Sequence, residues 1–280
     1  MPYSFLELNF QSNDNPLTSK QHILRPLILV TNDDGVNAKG IQSLIECLLP
    51  LGDIFVVAPD GPRSAQSSAL TVTTPLRVKK TDEEDGLTMY VCNGTPADCV
   101  KLALNQLCPR KPNIIVSGIN HGMNSSISII YSGTMGAAME GCVNGIPSIG
   151  FSLCSYDPRA DFTKAMEYAY KITKKTLETG LPRTLCLNVN IPDTHHIIKG
   201  IKVCRQSEGY WSEEFIRRED PSGKHYYWLT GEFINAEKQN DDTDEWALEN
   251  GFVSIVPVKI DMTAYEFMDD LKKWKYDELE

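Results

Sequence analysis

Residues Leu27 to Gly35 read LILVTNDDG, an apolar run that ends in an amide, two adjacent carboxylates and a glycine. Leu27, Ile28, Leu29, Val30 and Thr31 are all apolar or β-branched, the pattern of a strand buried on both faces in a parallel sheet. Open parallel sheets bind ligands in the crevice beyond the carboxyl ends of their strands, which is where Asn32, Asp33 and Asp34 follow. Two neighbouring carboxylates repel each other unless a cation compensates them. Asp33 and Asp34 therefore fit a hard-metal site on a catalytic edge. The same Asn-Asp-Asp-Gly string also fits an Asx turn, and the local sequence leaves both readings open.

Beyond this stretch, Ile41, Leu44, Ile45 and Leu48 recur at helical spacing between Ala38 and Leu49. A second apolar run, Ile54 to Ala58, then ends in Pro59-Asp60-Gly61-Pro62. Strand, helix and strand within roughly 30 residues make a βαβ unit, which demands parallel pairing. Arg63 to Thr74 is rich in Ser, Thr and small residues and reads as a long functional loop. Val78 to Val91 reads as a hairpin with an exposed acidic turn at Asp82 to Gly86. Thr95-Pro96-Ala97-Asp98 is a helix start, with Thr95 as N-cap, Pro96 at the first helical position and Asp98 complementing the dipole. Asp98 is accordingly assigned a structural role.

Ile114 to Ser117 forms a further strand, followed by Gly118-Ile119-Asn120-His121-Gly122. Tyr131-Ser132-Gly133-Thr134 precedes a small-residue helix from Met135 to Val143, and Pro147 to Leu153 is strand again. A helix carrying Phe162, Ala165, Met166, Ala169 and Ile172 on one face leads to the strand Leu185 to Val189. After about Pro192, strand-like pieces (Ile201 to Cys204, Tyr226 to Thr230, Phe252 to Pro257) alternate with polar loops, and a terminal helix is expected from about Ala264 to Tyr276. The acidic stretch Asn240 to Glu245 reads as a loop. The chain thus divides into an amino-terminal extension (1–24), an α/β core (25–191) and a β-rich appendage with its terminal helix (192–280), suited to oligomer contacts.

Bulk properties set limits on function. The 280 residues are 41% hydrophobic and 23% charged, an ordinary globular composition. A formal charge of −10 argues against a nucleic-acid polymer as main partner, yet it permits a phosphorylated small molecule. The 8 cysteines include no C-x-x-C pair and most lie in apolar strand-like or helix-like surroundings, which suggests reduced thiols in a cytoplasmic protein. No run approaches the roughly 20 apolar residues that span a bilayer.

In this reading the loops carrying Asn32-Asp33-Asp34, Arg63-Ser64, Ser117 to Asn120 and Ser132-Gly133-Thr134 meet at one sheet edge. Their carboxylates, amide and hydroxyls are oxygen donors, which suit magnesium or manganese, a hard cation that binds phosphate oxygens. Cysteine and histidine spacings for zinc are missing. The Ser132-Gly133-Thr134 turn fits either an anion site at a helix N-terminus or a plain N-cap. Gly118 and Gly122 fit either a close backbone approach at Asn120 or a turn.

The strings ILVTNDDGVNAKGIQSL, VVAPDGPRSAQS, NGTPADCV, PNIIVSGINHGMN and IYSGTMGAAMEG resemble the SurE family (survival protein E), a family of metal-dependent 5′-nucleotidases. The resemblance runs from about Pro26 to Leu153 and continues more weakly through LNVNIP and GFVSIVPVKIDMTAY. It implies that one divalent cation, magnesium or manganese, is held in each subunit by Asp33, Asp34, Ser64 and Asn120. It also implies that Asn32 and the Ser132-Gly133-Thr134 turn surround the reacting phosphate, and that the segment from Ser64 to Thr74 covers the site. It further implies an α/β/α sandwich with a mostly parallel Rossmann-like sheet, a protruding β-hairpin, and a swapped carboxyl-terminal segment giving a homodimer or homotetramer. Some members also act on 3′-nucleotides and short polyphosphate. The amino-terminal extension has no counterpart in the family pattern, and Gly61-Pro62 stands where the family varies.

The expected chemistry is attack of water on a nucleoside monophosphate, with Asp33 a candidate for orienting or deprotonating the water. His121 fits either a proton donor to the leaving alcohol or a turn residue. A covalent aspartyl phosphatase of the haloacid dehalogenase type needs a nucleophilic aspartate where Asn32 stands, and an amide cannot form the acyl phosphate. A metal- and nucleotide-binding module without turnover is the alternative from another class. No G-x-G-x-x-G follows the first strand and no G-x-S-x-G elbow occurs, which argues against a dinucleotide dehydrogenase and a serine hydrolase.

Overall fold

A strand that is apolar at every position needs a helical layer on each face of its sheet. The computed structural model describes residues 24–193 and 197–274, and β1 (Leu27–Thr31) runs through such a sandwich. Ile28 and Val30 pack with Ile41, Leu44 and Leu48 of α1 (Lys39–Leu48) and with Ala165, Ala169 and Ile172 of α4 (Thr163–Thr179). Leu27 and Leu29 point the other way. They meet Val100 of α2 (Pro96–Leu102) and Ala137 of α3 (Gly133–Val143). The period-two alternation of a strand thus feeds two cores at once.

The sheet has nine strands. The remaining ones are β2 (Asp53–Pro59), β3 (Val78–Glu84), β4 (Leu87–Cys92), β5 (Ile114–His121), β6 (Ser148–Cys154), β7 (Leu185–Pro192), β8 (Gly200–Val203) and β13 (Phe252–Lys259). Their order is β3-β4-β2-β1-β5-β6-β7-β13-β8, so β1 lies at the centre, parallel to both β2 and β5. Only β3 and β13 introduce antiparallel pairing, against β4 and β7 respectively. The expected α/β architecture is what the chain adopts. The hairpin read at Val78 to Val91 is the β3–β4 pair, but its turn is only Asp85-Gly86, because Asp82 to Glu84 pair with β4 as exposed strand.

Thr95 caps α2 through a reciprocal pair of hydrogen bonds with Asp98, and Pro96 opens the helix, as the sequence dictates. The strand expected at Ile114 to Ser117 continues to His121, so Asn120 and His121 stand on β5. The pairing of β5 with β6 slips between Ser117 and Asn120. Gly118 lies in this slip with φ +125, and a Cβ on it would stand 2.3 Å from the carbonyl oxygen of Phe151, so the close backbone approach read at this glycine is real.

Beyond Pro192 the chain is β-rich and returns β13 and β8 to the main sheet. Two small antiparallel sheets lie outside it. One pairs β9 (Gly209–Ser212) with β12 (Glu232–Asn235), and the other pairs β10 (Phe215–Glu219) with β11 (His225–Leu229). The acidic stretch at Asn240 to Glu245 is not a simple loop: Thr243 caps α5 (Asp244–Glu249), and Asp244 is fully buried. The expected helix from Ala264 to Tyr276 shrinks to a 3-10 turn (Tyr265–Phe267) and α6 (Met268–Lys272). Its Tyr265, Phe267, Met268 and Leu271 are exposed, and without a packed apolar face a short helix gains little stability. Residues 275–276 of that helix and residues 1–23 of the amino-terminal extension lie outside the described residues. Every cysteine is a free thiol. Among the described residues no helix is long and apolar enough to cross a membrane.

Candidate active site

The carboxyl ends of β1 and β5, the start of α3 and the loop after β2 converge on one cavity of about 580 Å³. Asp33, Asp34, Ser64, Asn120 and Ser132 all line it. Asn32, Gly133 and Thr134 do not line it, but each acts on a residue that does or on the turn that carries it. The Asn32 side-chain amide donates to the carbonyl oxygen of Gly35 over 2.9 Å and so closes the turn bearing both acids. Thr134 donates its hydroxyl to Asp33 Oδ1 at 2.5 Å. Gly133 packs against the same carboxylate, and a Cβ there would lie 2.9 Å from the Asp33 Cβ.

The α3 N-terminus is therefore occupied by a protein carboxylate. Ser132 is the N-cap, its oxygen accepting from the Met135 N–H at 3.1 Å, with its own hydroxyl proton left to donate. Both capping and cavity lining fall to this one residue. The anion-binding capacity of the helix start is spent largely on Asp33, through Thr134.

Burial dominates the electrostatics. Asp33 is 4% exposed, and loss of water pushes its carboxyl up to about 6, with the Asp34 charge adding to the rise and the Thr134 hydroxyl opposing it. Burial also raises Asp34, although its Oδ2 accepts from the backbone N–H of His121 at 3.1 Å. Asn120 donates its Nδ2 to the carbonyl of Gly122 at 2.8 Å, which leaves its side-chain oxygen available. Thr31 Oγ1, Asn32 Oδ1, Ser117 Oγ and His121 Nε2 are buried without a hydrogen-bond partner among the described residues. Such orphans are rare in folded proteins, and these gather at the same sheet edge. The His121 ring rests edge-on against Phe162, with centroids 5.9 Å apart.

No lysine or arginine is among the residues lining the cavity, whereas Asp33, Asp34 and Glu214 are. Arg63, next to Ser64, is turned away, its guanidinium bonding Asp60 Oδ1 at 2.8 Å and the carbonyl of Asn93 at 3.2 Å. A buried acid (Asp33), a half-buried one (Asp34), a hydroxyl and an amide oxygen make an oxygen donor set suited to a hard divalent cation. Among the described residues no cluster of three or more His, Cys, Asp or Glu suits a metal, so the amide and hydroxyl oxygens are needed to complete such a set.

The segment from Ser64 to Thr74 is tied to the core at several points. Ser67 donates its hydroxyl to the carbonyl of Ile130 at 2.7 Å, and Asp98 accepts from both the backbone N–H and the hydroxyl of Thr71. Ala65 and Ser67 adopt positive φ, an uncommon conformation for residues with a side chain. The structural part assigned to Asp98 therefore extends to fixing this loop.

The far wall was not foreseen from sequence. Tyr131 and Tyr156 stand at the cavity with 54% and 70% of their surface exposed. Trp211, Glu214, Leu229 and Thr230 close it from the small sheets β9–β12 and β10–β11. These four carry no motif and are separated from NDDG by most of the chain. The one available sign was an excess of aromatic residues between Tyr210 and Phe233 in an otherwise polar stretch.

The model of the family described as Survival protein SurE matches residues 28–213. A 5′-nucleotidase SurE of Bacteroides fragilis is 55% identical over 254 residues, spanning 90% of this chain and 98% of that protein. A protein of the same name from Flavobacterium johnsoniae is 53% identical over 253 residues, spanning 90% of this chain and 97% of that one. The crystal structure of a SurE protein from Aquifex aeolicus matches with a TM-score of 0.77 at 41% identity, covering 88% of this chain and 98% of that chain.

Proposed function

The chain belongs to the SurE family, and from that premise we propose that it is a divalent-metal-dependent 5′-nucleotidase, releasing phosphate from nucleoside 5′-monophosphates by attack of water. One observation carries the metal dependence. A phosphate dianion enters a cavity lined by three carboxylates and by no lysine or arginine, and like charges at such distances are strongly unfavourable in a half-buried site. A cation must balance them.

Asp33, Asp34, Ser64 and Asn120 would hold one magnesium or manganese ion in each subunit. When bound, it supplies Lewis acidity toward a phosphoryl oxygen and a lower pKa for the attacking water. The chain's own residues do the rest. Thr134 fixes the Asp33 carboxylate, so that Asp33 meets the cation and the water in one orientation. Asn32 holds the turn through Gly35, which keeps Asp33 and Asp34 adjacent. Ser132 donates its remaining proton to an equatorial phosphoryl oxygen, where charge accumulates in the transition state. His121 lines the cavity, and in this reading it is the candidate donor of a proton to the leaving oxygen.

Two wider features belong to the same reading. On the arm formed by the two small sheets β9–β12 and β10–β11, Phe215, Tyr227, Trp228 and Leu229 are each at least 60% exposed, and the tail adds Met262 and Trp274, which supports a homodimer or homotetramer that covers them. The free thiols support a reducing compartment such as the cytoplasm.

Phosphate release from a panel of nucleoside monophosphates, measured with magnesium, with manganese and with chelator, tests the reading. Release that is abolished both by chelator and by Asp33→Ala is the expected result. Tight nucleotide binding with no release under any metal would replace it with a sensor module.

A further inference from the structure

The metal end of the cavity explains recognition of a phosphate, but about 580 Å³ is far more space than a phosphate fills. We propose that Trp211, on β9, and Glu214, between β9 and β10, are specificity-determining residues that select a nucleoside on the phosphate in preference to a base-less or polyanionic one. The inference rests on the nucleotidase reading and assigns its substrate discrimination to named side chains.

Trp211 is held from behind. It pairs with Phe233 across β9 and β12, and their rings meet edge-on with centroids 5.9 Å apart. The indole is thereby immobilised while it still lines the cavity. A fixed aromatic face presented to a cavity is a stacking platform, and it is tolerant of base identity because every base has a π-face. Tyr156, also exposed at the cavity, offers a second such surface.

Glu214 has its backbone carbonyl fixed by the Thr230 N–H at 2.7 Å, which closes the neck of the β10–β11 hairpin. Among the described residues its carboxylate has no ion-pair partner. An ionised carboxylate only accepts hydrogen bonds. It therefore welcomes a ribose hydroxyl or a base N–H and repels a second phosphate, which separates nucleoside monophosphates from short polyphosphate.

The arm is braced at a set distance from the metal end. Asp244, fully buried, accepts from the N–H of Ser126 at 2.8 Å in the loop before α3 and from that of Ser207 at 2.9 Å at the root of the arm. Ser126 returns a hydroxyl bond to the carbonyl of Ser207 at 2.9 Å. Wall and phosphate site are thus parts of one polar framework.

The experiment compares kcat and KM of the full chain with manganese on AMP, deoxy-AMP, ribose 5-phosphate and tripolyphosphate. Trp211→Ala is expected to lower kcat/KM for both nucleotides roughly ten- to hundredfold, mostly through KM, as loss of a base–aromatic stack does. Ribose 5-phosphate, which has no base, should change less than about twofold, and Trp211→Phe should restore most of the loss. Glu214→Gln should raise the tripolyphosphate-to-AMP ratio several-fold, and a larger effect on AMP than on deoxy-AMP would assign the bond to the 2′-hydroxyl. Equal losses on AMP and ribose 5-phosphate, or no loss on either, would overturn the inference while leaving the nucleotidase reading in place. A wild-type protein that turns over none of the four would overturn both.

Discussion

Asp33→Asn should make the metal-free protein more stable and the enzyme inactive. Burial lifts the Asp33 carboxyl from its ordinary 3.8 to about 6 in the folded chain. Above pH 6 the folded state must carry a charge that the unfolded chain carries at no such penalty. At ~1.4 kcal/mol per tenfold change in proton affinity, that penalty is about 3 kcal/mol. The raised pKa fixes the sign. A carboxyl that binds its proton more tightly in the folded state destabilises folding at high pH, and the penalty fades as pH falls from about 6 to about 4. Asparagine keeps an oxygen for the Thr134 hydroxyl and carries no charge. The assay is urea unfolding in chelator at pH 8 and at pH 4. The variant should exceed the wild type by on the order of 2–3 kcal/mol at pH 8, and the two should converge at pH 4. Manganese at a thousandfold excess over Kd should reverse the order at pH 8, because the wild type gains about 4.1 kcal/mol from binding and the variant, short of one carboxylate, gains far less. A variant no more stable than wild type at pH 8 in chelator would refute the reasoning.

Thr134→Val removes a hydrogen bond to a buried carboxylate without changing side-chain volume much; the metal concentration for half-maximal activity should rise roughly ten- to hundredfold, with activity at saturating metal largely retained. Gly136→Ala would place a Cβ 2.3 Å from the carbonyl oxygen of Ser67, so the loop carrying Ser64 must move; a loss of about 1–3 kcal/mol in unfolding and a weaker metal response in the same activity titration are expected. Asp244→Ala leaves the buried N–H groups of Ser126 and Ser207 without their acceptor, at about 1–3 kcal/mol for each. KM for AMP should rise with kcat less affected, and limited proteolysis should cut the arm sooner.

What could be read from the sequence follows from how local each signal is. The buried strand at Leu27 to Thr31, the α1 stripe and the Thr95 cap are decided within a few residues of themselves, and each folds as its pattern dictates. The acids after β1 were legible as a candidate site for the same reason. The division of labour at the start of α3 was not. A Ser-Gly-Thr helix start suits any anion, and only the fold reveals that Asp33 arrives there first. The destinations of β13 and β8 were also hidden, since a strand's partner depends on long-range pairing that its own periodicity does not encode. The terminal helix failed because propensity without a packed face is too weak to extend it.

That arrangement at α3 changes what the cation is for. In a helix-start phosphate site the backbone N–H groups and the dipole meet the anion directly. Here the Thr134 N–H and hydroxyl meet Asp33, and Arg63, next to Ser64, is bonded elsewhere. The protein has thus used its own positive groups to hold its negative ones in place. In the proposed reading a substrate phosphate would find a hydroxyl at Ser132 and oxygen donors for a cation, but no lysine or arginine among the residues lining the cavity. Phosphate affinity should therefore vanish with the metal rather than weaken. Equilibrium dialysis of labelled AMP in chelator and in manganese measures this. Retained AMP binding in chelator, within about tenfold of that with manganese, would mean that the neutral donors and the arm suffice, and that the charge argument is wrong.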